Sequence, residues 1–176
     1  LYEHLGRATL DQLDEADLFR PPSGDGNSLA VIVQHLHGNM LSRFTDLLTS
    51  DGEKPWRDRD REFEVHATSR SEVEELWRTG WECVFGTLDA LGPDDLQRIV
   101  TIRNQEHTVL EVIHRHLTHY AYYVGQMVLV GKTIRGEAWK TLSVARGASA
   151  EYNREKFARP RQRAHYTEDF VRDEES

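Results

Sequence analysis

One stretch of the chain combines side chains that can do chemistry with a lack of charge. Residues 117–131 contain no Asp, Glu, Lys or Arg, although 30% of the chain is charged. At about 100° per residue the pattern predicts a helix with an apolar core stripe and a second, partly polar stripe opposite it. The core stripe comprises Leu110, Ile113, Leu117, Ala121, Val124 and Val128, and the opposite stripe comprises Val112, His116, His119, Tyr123, Gln126 and Val130. An unpaired buried polar group costs roughly 1–3 kcal/mol, so the second stripe must pair internally or bind a ligand.

Three further helices are predicted to surround this one. The first covers residues 1–18 and ends before two prolines, which cannot continue a helix. The second begins at Asn27 or Ser28 and ends at residues 51–52, and the third begins with a capping box from Ser71 to Glu74 and ends at residues 92–93. Apolar residues recur along the second helix at Leu29, Ile32, Val33, Leu36, Met40, Phe44 and Leu47.

The connections favour a bundle with one long crossover. Residues 52–70 join helices two and three, so these helices need not be antiparallel neighbours. Within the crossover, charges alternate in sign between Trp56 and Phe63, which is typical of a solvated, self-paired loop. Residues 98–106 alternate weakly and predict a short extended piece. We expect an all-α domain over residues 1–158, with residues 139–157 folded back over the bundle, and a mobile charged tail over residues 159–176.

Composition excludes several classes of function. A net charge of −8 would repel DNA or RNA. A single cysteine, Cys83, excludes an internal disulfide and a cysteine-cluster metal site, and it suits a reducing cytoplasm. The uncharged stretch is too short and too polar to span a membrane. The sequence lacks a nucleophile elbow, a phosphate-binding glycine loop and a zinc-protease motif, so no catalytic residue is identified.

Four ordered segments carry a family resemblance. Residues 27–36, 51–60, 119–126 and 139–147 resemble successive signatures of the DinB/YfiT-like superfamily, and more narrowly a bacterial branch catalogued as a domain of unknown function. The resemblance implies an up-down-down-up four-helix bundle, commonly dimeric. It also implies a divalent metal, nickel or zinc, on one histidine from helix two and two from a His-x-x-x-His on helix four. Some members of the superfamily are thiol-dependent S-transferases.

Carried over to this chain, the resemblance assigns His35 and His119 as metal ligands. Tyr123 stands where the pattern has the third histidine. Positions i and i+4 of a helix share a face, but a phenol is neutral near pH 7 and is a rare ligand for nickel or zinc. The predicted site is therefore weak, with Tyr123 or water completing it and His116 as an alternative third ligand. Substrate-binding candidates at the mouth of a pocket are Arg57, Arg59 and Arg146, although such arginines more often join loops to helix ends.

Two functions remain open from the sequence. In one, a metal on His35 and His119 activates a thiol or water for S-transfer to a small molecule or for its hydrolysis. In the other, the protein is a metal-free homodimeric bundle, and its histidine–tyrosine stripe lines a small-molecule pocket or pairs with itself in a structural role. Four tryptophans and the near-uncharged fourth helix favour a homodimer in both cases.

Overall fold

A computed structural model describes residues 1–165 and 167–168 of the chain. This part is mostly helical and also contains one two-stranded antiparallel sheet. The helices are α1 (Tyr2–Leu10), α2 (Glu15–Leu18), α3 (Leu29–Phe44), α4 (Arg70–Ala90), α5 (Val109–Arg135) and α6 (Ser149–Ala158), and the strands are β1 (Ile99–Ile102) and β2 (Gln105–Thr108). Short 3-10 turns cover Arg61–Phe63, Pro93–Gln97 and Gly136–Ala138. None of the helices in residues 1–165 and 167–168 is both long and apolar enough to cross a membrane.

The predicted first helix is interrupted. It ends at Leu10, and the chain restarts as α2 after Asp14. Asp14 has an extended backbone, and its N–H donates to the Asp17 carboxylate at 3.4 Å. An aspartate in this conformation begins a new helix rather than continuing the old one.

Helix α3 begins as the sequence predicts and ends earlier. Ser28 caps it, because its hydroxyl accepts the Val31 N–H at 3.3 Å. All seven predicted apolar positions of this segment are buried. The helix ends at Phe44 instead of residues 51–52, since Thr45 is extended and Asp46 has a φ of +49°, which no α-helix continues.

Helix α4 begins two residues before the predicted capping box. Ser69 accepts the Glu72 N–H, and the Glu72 carboxylate accepts the Thr68 N–H at 2.6 Å. The equivalent box at α5 joins Thr108 and Glu111.

The buried face of α5 differs from the predicted one. Leu117 is 49% exposed and Ala121 is exposed, whereas His116 and Tyr120 are buried. The buried stripe therefore lies roughly 80° from the predicted core stripe, at about 100° per residue, and between the two stripes. The reason is that α5 packs against both α1 and α3, while the Tyr120 ring also contacts Trp81 of α4.

The extended piece predicted at residues 98–106 is the start of a hairpin. Strands β1 and β2 pair from Ile99 opposite Thr108 to Ile102 opposite Gln105. At the turn, Arg103 and Asn104 have φ of +54° and +60°, and their N–H groups both donate to Asp51 at 2.9 Å. The hairpin encloses a small second core, formed by Leu47, Val100, Ile102, Val109 and Val112.

The segment after α5 folds back only in part. Lys140 exchanges hydrogen bonds with the Gln12 side chain at 2.7 and 3.1 Å, which ties the segment to the end of α1. Helix α6 buries none of its side chains. Residues 159–165 of the predicted tail are exposed. Residues 166 and 169–176 of that tail lie outside the described part of the chain.

Candidate functional site

A cavity of about 340 Å³ lies where α3, α5, the crossover and the hairpin turn meet. Its walls carry histidines from two helices and arginines from four segments of the chain. The lining residues are His35, Asn39, Arg43, Arg57, Arg59, Arg103, Arg115, His116, Thr118, His119 and Tyr122.

The two histidines predicted to meet lie side by side. The ring centroids of His35 and His119 are 5.4 Å apart, in an edge-on arrangement. Both Nε2 atoms are buried, and neither has a hydrogen-bond partner within the described residues. Because buried polar atoms are normally satisfied, this pair of nitrogens is the strongest sign that the cavity receives a ligand.

Glu62 orients the His35 ring. Its Oε2 lies 2.9 Å from His35 Nδ1, and the same carboxylate accepts hydrogen bonds from Arg57 Nε at 2.7 Å and Nη2 at 2.9 Å. Burial alone would raise the pKa of Glu62, but the hydrogen bonds from His35 and Arg57 hold that pKa below its ordinary value. An ionised carboxylate at Nδ1 favours the tautomer with its proton on Nδ1, which leaves the lone pair of Nε2 directed away from Glu62.

His116 and His119 of α5 are held neutral by burial. Burial lowers the pKa of His116 to about 4, despite a hydrogen bond to the Val112 carbonyl that acts in the opposite direction. Burial, followed by the charges of His35 and His116, lowers the pKa of His119 to about 4. Near pH 7 both imidazoles are therefore uncharged, which is the protonation state that binds metals.

His116 also presents Nε2 as an acceptor. Its Nδ1 lies 2.8 Å from the Val112 oxygen, and a carbonyl oxygen only accepts, so the ring proton is on Nδ1. Its ring centroid is 6.4 Å from that of His119.

Tyr123 lies against both site histidines without lining the cavity. Its ring centroid is 4.6 Å from His35 and 4.9 Å from His119. Burial, and then the neighbouring Tyr122, raises the pKa of the Tyr123 phenol, so the hydroxyl is protonated near neutral pH. A protonated phenol is a poor ligand for a divalent metal.

Asn39 is a polar group of the site that sequence reasoning missed. Its Oδ1 is buried and has no hydrogen-bond partner in the described part of the chain. It stands four residues after His35 on α3, and that i,i+4 spacing was the available signal. Among residues 1–165 and 167–168, no group of three His, Cys, Asp or Glu side chains is placed to hold a metal ion. A third protein ligand would therefore come from another residue type.

The three predicted arginines have different positions. Arg57 lines the cavity but is buried, with 2% of its side chain exposed, and Arg59 lines it with half of its side chain exposed. Arg146 is exposed and is not among the lining residues. Arg43, Arg103 and Arg115 line the cavity without having been predicted, and nothing in their local sequence marks them.

Comparison with known proteins identifies a family for this chain. A family model described as "Protein of unknown function (DUF1572)" matches residues 1–148. No curated protein and no solved structure matches the chain significantly. The matched range contains every residue that lines the cavity. Since the match covers most of its length, the chain belongs to the DUF1572 family of proteins of unknown function.

Proposed function

We propose that the protein is a DinB-like metal-dependent enzyme that holds a divalent cation with His35 and His119 and acts on a small molecule as an S-transferase or hydrolase. The observation that carries the proposal is the pair of buried, unpartnered Nε2 atoms beside one cavity. The two Nε2 atoms, one of them on the neutral His119 imidazole, are nitrogen donors suited to nickel or zinc.

The spacing of the rings fits a shared cation. With metal–nitrogen bonds of about 2.1 Å and tetrahedral angles, two imidazoles bound through Nε2 would have centroids roughly 5 Å apart. The His35 and His119 centroids are 5.4 Å apart. Glu62 would act as the carboxylate behind a metal-ligating histidine, a partner that fixes the ring and raises its basicity. Asn39 Oδ1, the Tyr123 phenol or water would complete the site, because His116 forms no three-ligand group with His35 and His119 among the described residues.

The chemistry expected of such a site is activation of a nucleophile. A bound divalent cation lowers the pKa of a thiol or water, so that the deprotonated nucleophile is available near neutral pH. The contribution of the chain would be to keep His119 neutral by burial and to hold His35 through Glu62.

The packing of the helices supports the DinB-like part of the proposal. Helix α3 packs against α4 and α5, and α1 packs against α5. The connection between α3 and α4 covers residues 45–69, which is the long crossover that an up-down-down-up four-helix bundle needs between its second and third helices.

A metal-free function is the second candidate. It is favoured by the lack of any group of three His, Cys, Asp or Glu ligands in the described part of the chain. In that case the same cavity would bind a small molecule without metal.

We also propose that the protein is a cytoplasmic homodimer. Tyr122 and Leu129 are 66% and 65% exposed and lie two turns apart on one face of α5, and such a pair of apolar side chains favours a partner surface. Light scattering at tens of micromolar would detect a dimer with a Kd of about 1 μM. A monomer at that concentration would contradict the dimer.

Metal analysis tests the proposed function. Protein purified without a histidine tag should contain nickel or zinc, or should bind one of them in calorimetric titration. His119→Gln should abolish this binding, whereas His114→Gln, which changes an exposed histidine of the same helix, should retain it. Failure of the natural protein to bind either metal would refute the metal-dependent function and favour the metal-free candidate.

A further inference from the structure

We infer that the cavity binds a small oxyanion ligand with at least two negative charges, a phosphate or a dicarboxylate, through Arg59, Arg103 and Arg115. If a metal centre is also present, this ligand would be its substrate, and that part of the inference rests on the proposed function. Binding of the anion requires only the arginines.

The first argument is the balance of charge. Five of the eleven lining residues are arginines and none is acidic. Two carboxylates pair with these arginines from behind the wall: Glu53 contacts Arg43, Arg57 and Arg103, and Glu62 contacts Arg57. Five positive charges against these two carboxylates and the solvated Asp60, which lies 3.9 Å from Arg59, leave an excess of two, in a chain whose net charge is −8. Concentrating positive charge in one concave site of an acidic protein favours an anionic ligand.

The five arginines of the cavity form two groups, which differ in how firmly their side chains are held. Arg43 and Arg57 are buried, and their guanidinium groups are engaged by Glu53 and Glu62. These two residues therefore form the rigid part of the cavity wall.

The side chains of the other three arginines, Arg59, Arg103 and Arg115, are exposed. Arg59 and Arg103 have 50% and 55% of their side chains exposed. Arg103 Nε donates to the Glu53 carboxylate at 2.8 Å, but this pair is open to solvent, unlike the pairs of Arg43 and Arg57. Arg115 is exposed, and its guanidinium has no ion pair or hydrogen bond with any residue that the structure describes. Within the described part of the chain, the Arg59 guanidinium contacts the fully solvated Asp60, at 3.9 Å, and the face of the Phe63 ring. These three side chains can therefore change conformation to contact a ligand without breaking a buried contact.

The hairpin turn gives an independent argument. Arg103 occupies a left-handed position, with a φ of +54°, where glycine, asparagine or aspartate is strongly preferred. Asp51 holds the turn by accepting the N–H groups of Arg103 and Asn104. A residue in an unfavourable backbone conformation is more often found where its side chain is needed, and here that side chain lines the cavity.

The chemistry of the guanidinium group indicates which class of ligand the cavity binds. A guanidinium presents paired N–H donors whose geometry matches the two oxygens of a carboxylate or phosphate. A volume of about 340 Å³ is at the lower end of the range for small-molecule sites, so the ligand is small.

The experiment is calorimetric titration of metal-free protein with inorganic phosphate and, separately, with succinate. Potassium chloride at matched ionic strength is the reference. We expect saturable binding of phosphate or succinate that weakens as salt is added. Arg59→Gln and Arg115→Gln should each raise the Kd about tenfold, which corresponds to ~1.4 kcal/mol. Arg146→Gln should leave the Kd unchanged, because Arg146 is exposed but lies outside the cavity.

Arg103→Asn separates binding from folding. Asparagine accepts a left-handed φ better than arginine does, so this variant should keep or raise the melting temperature while weakening anion binding. Binding of phosphate but not succinate would identify a phosphate ligand, and the reverse a carboxylate ligand, and either result supports the inference.

Two results would overturn it. One is the absence of any heat beyond the chloride reference, and the other is an unchanged Kd in all three cavity variants. Failure of the proposed function is distinguishable, because metal binding is measured separately. If the protein binds phosphate but neither nickel nor zinc, this inference stands and the proposed metal centre is refuted. If it binds nickel or zinc but neither phosphate nor succinate, the metal centre stands and this inference is refuted.

Discussion

Replacing Tyr123 by histidine should strengthen the proposed metal site of His35 and His119. The ring at position 123 already lies 4.6 Å from His35 and 4.9 Å from His119, measured between centroids. Both distances resemble the 5.4 Å between the two histidines themselves. A third imidazole in this position would therefore face the same point as the other two and would add a neutral nitrogen ligand.

The size of the effect follows from linkage. When free metal is a hundred times its dissociation constant, binding to the folded state alone stabilises the protein by about 2.7 kcal/mol. For a chain of this length, each kcal/mol raises the melting temperature by about 2–4 °C, so Tyr123→His should melt roughly 5–11 °C higher with metal than without it. The natural protein should shift much less at the same metal concentration.

The assay is thermal melting and calorimetric titration of each variant with nickel and zinc. Comparing each variant with and without metal removes the cost of losing the tyrosine ring, which packs against Tyr122 at 5.0 Å. Tyr123→Phe is the matched control, because it keeps the ring and removes only the hydroxyl. Equal shifts for the natural protein and Tyr123→His would show that the site is already complete. Loss of the shift in Tyr123→Phe would then identify the phenol oxygen as a ligand.

Three further changes test the site and the core. Glu62→Gln should lower metal affinity about 10–100-fold, because the amide no longer fixes the His35 tautomer, and competition with a chelator would measure this. Burial lowers the pKa of His116 to about 4 in the folded protein, so the unfolded chain, with an ordinary pKa near 6.5, binds more protons between these values. Stability is therefore complete above about pH 6.5 and falls as the pH drops towards 4, by about 2 kcal/mol at pH 5 from this residue, and His116→Asn should remove that part in urea unfolding. Gly6→Ala should cost about 1–3 kcal/mol, because its methyl group would overlap the Trp77 ring.

Each change has a control in an exposed or open position. Glu64→Gln, whose side chain is 70% exposed, should leave metal affinity unchanged. His114→Asn should retain the full loss of stability at pH 5. Gly86→Ala should be neutral or stabilising by up to about 1 kcal/mol, since nothing lies within 4 Å of the new methyl group. Equal effects of a test variant and its control would refute the physical reason given for that variant.

Helix α3 was predictable because its apolar positions all point to one core. The six predicted apolar residues within the helix repeat at helical spacing and are buried in the main core, whereas the seventh, Leu47, follows the helix and belongs to the second core. Helix α5 offered no such guide. Without charges between residues 117 and 131, nothing in the sequence marks the solvent side, and contacts with helices on several sides of α5 decide which residues are buried. This is why Leu117 is exposed and Tyr120 is not.

The meeting of His35 and His119 could be predicted, but their surroundings could not. Both histidines belong to long helices, α3 and α5, that pack against each other. Arg43, Arg103 and Arg115 come from three different elements, and only the path of the chain brings them to one cavity. Arg103 depends in addition on Asp51, which lies 52 residues earlier and holds the hairpin turn against the end of the α3 segment.

The crossover shows why charge alternation alone misleads. The pattern between Trp56 and Phe63 predicts solvated, self-paired charges, yet Arg57 and Glu62 are buried, with 2% and 10% of their side chains exposed. A buried ion pair is often no more stabilising than an apolar pair of the same size, because both charges lose their hydration. Stability alone therefore gives no reason to place this pair inside the protein. The position of the pair does give a reason. Arg57 keeps Glu62 ionised, and Glu62 in turn favours a proton on Nδ1 of His35. In that tautomer the lone pair of Nε2 lies beside the cavity.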